Sequence, residues 1–213
     1  MGTRSAWVGR LRAMAVRSEI PASILEPPAD ASGRAAAAAG FADEAGHRRA
    51  IDRYVLAAWL GVDPGVAPAP DAGLDLRLWH ALASGAGLKG FSGLLEGDGP
   101  LTAERASIGI EIWTETELAC LHAFGRMIRT EAEIARLDRA VSWHLETLQP
   151  DNATNHPWAM HVWIDAAGRR PAIEAEALMH AEGMLHAAMA VRGRVDTFGA
   201  LLLLDAAREL GRV

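Results

Sequence analysis

The chain has 213 residues, enough to bury a sizeable core without disulfides or metals. Its formal charge of −6 argues against a nucleic-acid partner, and no run approaches the ~20 consecutive apolar residues that span a bilayer. Alanine, leucine, arginine and glutamate dominate, while one tyrosine and four phenylalanines are too few to furnish a large sheet, so the expected class is all-α.

Residues 1 to 40 read as a partly helical N-terminal arm. Arg4, Arg10, Arg12 and Arg17 are its only charges before Glu19, and Trp7, Val8, Leu11 and Met14 suggest an amphipathic start that is solvated or meets a membrane surface or partner. Pro21, Pro27 and Pro28 interrupt it, and Ala35 to Ala39 is a helix-permissive, low-complexity run. Residues 41 to 213 read as a single helical domain. Ile51, Tyr54, Val55, Ala58 and Trp59 recur at i, i+3, i+4, i+7 and i+8, which predicts a helix over 41–60 with Gly61 as its stop. A short helix over 74–83 follows a Pro/Gly-rich loop. Gly85, Gly87, Gly90 and Gly93 then loosen the chain without making a phosphate loop.

From Thr102 the pattern predicts helices over 103–128, 131–149, 156–166, 172–191 and 197–211. Thr130 with Glu133 forms a capping box, Asn155 and Pro157 open the third of these helices, Pro171 opens the fourth, and Asp196 caps the last. A faint echo at 45-residue spacing, from the His144 helix to the His186 helix, matches the length of a helical hairpin repeat.

Polar groups inside an apolar stripe must be paired or functional. On the 103–128 helix Glu117 falls among Trp113, Cys120, Leu121 and Phe124, whereas Glu111, Glu115 and His122 fall on the opposite, solvated face. A buried carboxylate suits general acid or base work or a structural ion pair with an arginine. His161 interrupts a helix that is apolar nearly all round, and His180 lies within the stripe of the next one. Glu117, His161 and His180 are therefore the candidate catalytic residues. Glu176 with His180 and Glu182 with His186 are one turn apart, but no established metal motif is present, so no metal ligand is assigned and the cofactor stays open.

The segment 143–163 concentrates tryptophans, histidines and amides around one helix–helix connection. Trp143, His144, Trp158 and Trp163 supply rings, and Asp151, Asn152, Asn155 and His156 supply directional polar groups, so the segment reads as a ligand-binding rim or as core rings with turn and cap residues. Asn152-Ala153-Thr154 also matches a glycosylation sequon. The lone Cys120 rules out an internal disulfide and fits a reducing, cytoplasmic setting.

The capped hairpins of Thr102 to Val213 resemble the α-hairpin layers of α/α-toroid proteins, which include terpene cyclases and several glycan-active enzymes. That resemblance implies antiparallel helical hairpins packed as a bundle or a partial α/α toroid. The acid motif and Gln/Gly/Trp repeat of terpene cyclases are absent, so it carries over no catalytic residue. The expected function is a non-catalytic domain with a Trp/His-rich surface that takes a small molecule or a protein partner. An acid/base or metal-assisted enzyme using Glu117 with His161 and His180 is the alternative.

Overall fold

The computed structural model describes residues 2–103, 109–148 and 155–212, with side chains from Arg4 onward. Among these residues every regular element is helical, in the order α1 Gly2–Val16, α2 Ala22–Leu25, α3 Ala31–Gly40, α4 Ala50–Leu60, α5 Leu74–Ala83, α6 Ile110–Met127, α7 Glu131–Thr147, α8 Met160–Arg169, α9 Glu174–Met189 and α10 Thr197–Leu210. Short 3₁₀ turns occupy Ser92–Leu95 and Pro171–Ile173. The helices pack as a bundle, and among the described residues none is long and apolar enough to cross a membrane.

The C-terminal helix is the centre of the bundle. Every residue from Thr197 to Ala207 is buried, which a helix tolerates only when neighbours cover it on all sides. One of them is α1, which lies along α10 with Trp7, Leu11 and Ala15 buried. The apolar face that a membrane or partner would need is therefore already covered. Arg10 pairs with Glu182 of α9 and the Arg4 Nε donates to the Leu210 carbonyl at 2.8 Å, so two of the arm's arginines serve internal docking.

Local capping explains where most helices stop and start. Gly61 adopts φ +65° at the end of α4, as a left-handed C-cap requires. Thr130 and Glu133 form the reciprocal capping box of α7, and the Asp196 carboxylate accepts from the Gly199 amide at 2.6 Å. Three predicted starts are corrected, the first being that of α6, which begins at Ile110 rather than at 103, behind an extended Gly109. The chain from Phe41 to Arg49 is not helical, because Asp43 folds back to accept from the amides of Ala45 and His47, and α4 begins only at Ala50. Similarly, α8 begins at Met160 rather than at 156, because Ala159 holds a left-handed conformation with φ +54°.

That strain has a local partner. The Ala159 amide donates to Nδ1 of His122 on α6 at 3.1 Å, in a site where both residues are wholly buried. Close approach of α6 and α8 is also required at Gly125, where a Cβ would meet Val162 Cγ2 at 2.7 Å and His161 Nε2 at 3.0 Å.

Candidate functional site

Three polar assemblies, two of them buried, hold Glu117, His144, His156, His161 and His180. In the first, Glu117 lies fully buried on α6 and accepts from the Leu101 amide, the Thr102 amide and the Thr102 hydroxyl, each at 2.7 Å. His144 Nε2 of α7 donates to the same carboxylate at 3.2 Å. Glu117 is thus bound by four donors and fastens the 101–102 segment between α6 and α7. Arg136 completes the fastening from α7 by donating to the carbonyls of Leu94, Gly99 and Pro100 at 2.6–2.9 Å. His144 also meets Trp163 edge-on at 5.6 Å, and Trp163 lies 4.2 Å from the His180 ring. Burial, with His144 nearby, pushes the His180 imidazole down to about 4. Glu117 and His180 therefore belong to one continuous buried assembly, linked through His144 and Trp163.

His161 belongs to a second. Its ring lies 4.6 Å from that of His122, tilted by 57°, and neither of its nitrogens has a hydrogen-bond partner among the described residues. Burial, and then the neighbouring His122, push its pKa well below the ordinary value. His122 is fully specified: a backbone amide can only donate, so Nδ1 is the acceptor from Ala159, and Nε2–H donates to Asp205 at 3.0 Å. This neutral form agrees with burial lowering the His122 pKa against the pull of Asp205. Asp205 also pairs with Arg126 at 3.0 Å and Arg208 at 2.8 Å. Burial would push its carboxyl up, but Arg126, with His122 and Arg208, holds it well below the usual carboxylate range. With both nitrogens engaged, His122 has none left for a substrate. The solvated position expected for it is corrected, since α6 packs against α5 and α8 and reaches α10 through this pair.

The third assembly reaches the surface. His156 Nδ1 contacts the Glu115 carboxylate at 2.7 Å and Nε2 faces Asp196 at 3.3 Å. The Trp158 indole donates to the same Glu115 oxygen at 2.6 Å, and Arg49 lies across the Phe198 ring at 3.9 Å with its Nη1 3.0 Å from His156 Nε2. Burial pulls the His156 pKa down, but hydrogen bonds to Asp196 and Glu115 outweigh it and raise the pKa to about 9. At neutral pH His156 is an imidazolium. Because its folded pKa lies above the unfolded value, its contribution to stability is complete below about pH 6.5 and is lost as pH rises through about 9. The folding stability of the native protein, read from denaturant titrations, is expected to fall between pH 7 and 9.5, by up to about 3 kcal/mol, with a His156→Gln variant losing most of that slope. Equal slopes for the two proteins would refute the imidazolium.

His156 and Asn155 line a cavity of about 720 Å³ between the start of α4 and the turn joining α9 to α10. Arg48, Arg49, Arg192 and Arg194 also line it, against Asp43 and Asp196. Glu44 fixes the far wall by pairing with both Arg192 and Arg194 across the Gly193 turn. Arg48 donates to the Ala39 carbonyl and has no carboxylate partner among the described residues.

Of the sequence candidates, then, Asn155 and His156 line this cavity, while Trp143 lines a smaller one beside Arg139 and Arg170. Trp158 and Trp163 are core rings, and His144 is buried with Glu117. Asp151 and Asn152, with the sequon, lie outside the described residues. Glu117, His161 and His180 line none of five cavities formed by the described residues. From sequence Glu115 reads as part of a solvated face, and Arg48, Arg49, Arg192 and Arg194 stand outside the candidate set. The available signal was the adjacent basic pair Arg48-Arg49 at a helix start in an acidic chain. Among the described residues no group of three or more His, Cys, Asp or Glu side chains is placed to hold a metal ion. Compared with known proteins, the chain matches no family model, no curated protein and no solved structure.

Proposed function

We propose that the protein binds a small anionic molecule at the Arg48–Arg49 ridge and holds it without transforming it. The observation that carries this reading is the convergence of four arginines and the His156 imidazolium on one cavity of a protein whose net charge is −6. Arg49 is paired with Asp52, Arg192 and Arg194 with Glu44, and His156 with Glu115 and Asp196, so the charge an anion would meet is that of Arg48, flanked by the donor groups these pairs leave open. Arg48 supplies a charge that no carboxylate already neutralises among the described residues. His156 adds charge without acid/base reactivity, because its nitrogens face Glu115 and Asp196.

The acid/base alternative has less support. The Glu117 carboxylate is occupied by four donors, and His161 and His180 are buried away from the cavities. Calorimetric titration with inorganic phosphate at low ionic strength tests the anion reading. Saturable, salt-sensitive binding is expected, weakened about tenfold in Arg48→Ala. Absence of binding, or binding indifferent to Arg48, would overturn it.

A further inference from the structure

A second cavity, of about 780 Å³, lies on the other side of the same ridge and shares Arg48 and Arg49 with the first. Its origin is legible in the chain. The run Ala35 to Ala39 forms half of α3, and alanine methyl groups are too short to fill the space between α3 and α4. No residue of α3 is buried, and Ala35, Ala38 and Ala39, at i, i+3 and i+4, face the gap. Phe41, Leu56, Ala57, Val62 and Leu76 supply the opposite apolar walls.

The lining also carries polar groups. Two are carboxylates already occupied: Asp52 accepts from the Arg49 backbone and side chain at 2.9 and 3.0 Å, and Asp63 from the Gly65 amide at 2.8 Å. Two are cations with only neutral partners among the described residues. Arg48 donates to the Ala39 carbonyl, and Arg53 to the Tyr54 hydroxyl and the Val66 carbonyl, both at 2.7 Å. An apolar hollow edged by unneutralised guanidinium groups is complementary to a molecule with an apolar body and one anionic end.

We propose that the bound anion is an amphiphilic carboxylate, a free acyl chain whose head meets Arg48 and Arg53 and whose chain fills the hollow between α3 and α4. The inference rests on the anion reading and adds the ligand's class. The hollow's volume falls within the roughly 300–1,000 Å³ of small-molecule sites.

Titrations of the full chain with decanoate, acetate and 1-decanol, kept below the concentration at which decanoate forms micelles, separate the two ideas. Each methylene removed from water is worth about fourfold in affinity, so decanoate is expected to bind about 100-fold more tightly than acetate once three or four are buried. Ala38→Trp should fill the hollow and abolish that advantage while leaving phosphate binding unchanged, and Ala35→Trp, at an exposed position, gives the same readout if the first variant folds poorly. Decanoate binding no more tightly than acetate, or keeping its advantage in the filled variants, overturns the amphiphile while the anion reading stands. Decanol binding as tightly as decanoate overturns the contact of a carboxylate head with Arg48 and Arg53, and no binding of any anion, phosphate included, overturns the anion reading as well.

Discussion

Replacing Asp205 by alanine is expected to lower the folding stability by about 3–5 kcal/mol. Asp205 is 1% exposed on the central helix and is the shared partner of Arg126, Arg208 and the His122 imidazole. Truncation leaves Arg126, itself 5% exposed at its side chain, with Glu209 alone, and leaves the His122 Nε2–H without an acceptor. A buried charge stripped of one partner costs far more than the intact pair contributes, so the loss should appear in full in a urea midpoint. Asp205→Asn keeps an acceptor for His122 but removes the charge, and should lie between native and alanine. The pH dependence follows from the depressed carboxyl. Its stabilisation is complete above the unfolded value near pH 4 and is lost progressively as pH falls towards its lower folded value. The gap between native protein and Asp205→Asn should therefore be constant from pH 5 to 7 and narrow below about pH 4. A loss under about 1 kcal/mol at pH 7 would mean that the two arginines and the His122 Nε2–H are satisfied elsewhere.

That assembly also shows which part of the structure could be read from sequence. Helix ends with local chemistry were legible: Gly61, the Thr130/Glu133 box and Asp196 each act within a few residues of themselves. The start of α8 was not, because nothing in an alanine announces a positive φ. Ala159 holds it through a hydrogen bond to a residue 37 positions earlier. Helical periodicity placed Glu117 correctly in a buried stripe, and left Glu111 in solvent as expected. It misplaced His122, since winding a helix with one buried face assumes one neighbour, and α6 has helices on more than one side.

The cavity was partly legible for the same reason. Asn155 and His156 stood out by composition, but their neighbours come from the turn before α4 and the turn after α9, more than thirty positions away in either direction. Asp196 was assigned one role, the cap of α10, and holds two, because its second oxygen faces His156. Glu115 reads as solvated on a wheel and is only partly so, since the segment before α8 folds over it and presents His156 and Trp158 to one oxygen. Such convergence depends on long-range packing, which no local pattern records.

Replacing Glu117 by alanine should cost about 3–5 kcal/mol, and the site of the damage is as informative as its size. Four donors lose their acceptor at once: two backbone amides, a hydroxyl and the His144 imidazole. A glutamine fits the space but does not restore the set. Its amide nitrogen would confront at least one of the donors now shared between the two carboxylate oxygens, so Glu117→Gln is expected to lose roughly 2 kcal/mol or more. Amide exchange should accelerate at Leu101 and Thr102, and proteolysis should begin in the 94–102 segment, while α10 stays protected in a partly destabilised variant. Arg136→Ala, which releases the carbonyls of Leu94, Gly99 and Pro100, should loosen the same segment without touching the carboxylate. A Glu117→Gln variant as stable as the native protein, with unchanged exchange at Leu101 and Thr102, would contradict the fastening role. It would instead favour an acid/base role for Glu117, because a carboxylate not required for folding in so buried a position would need another reason to be there.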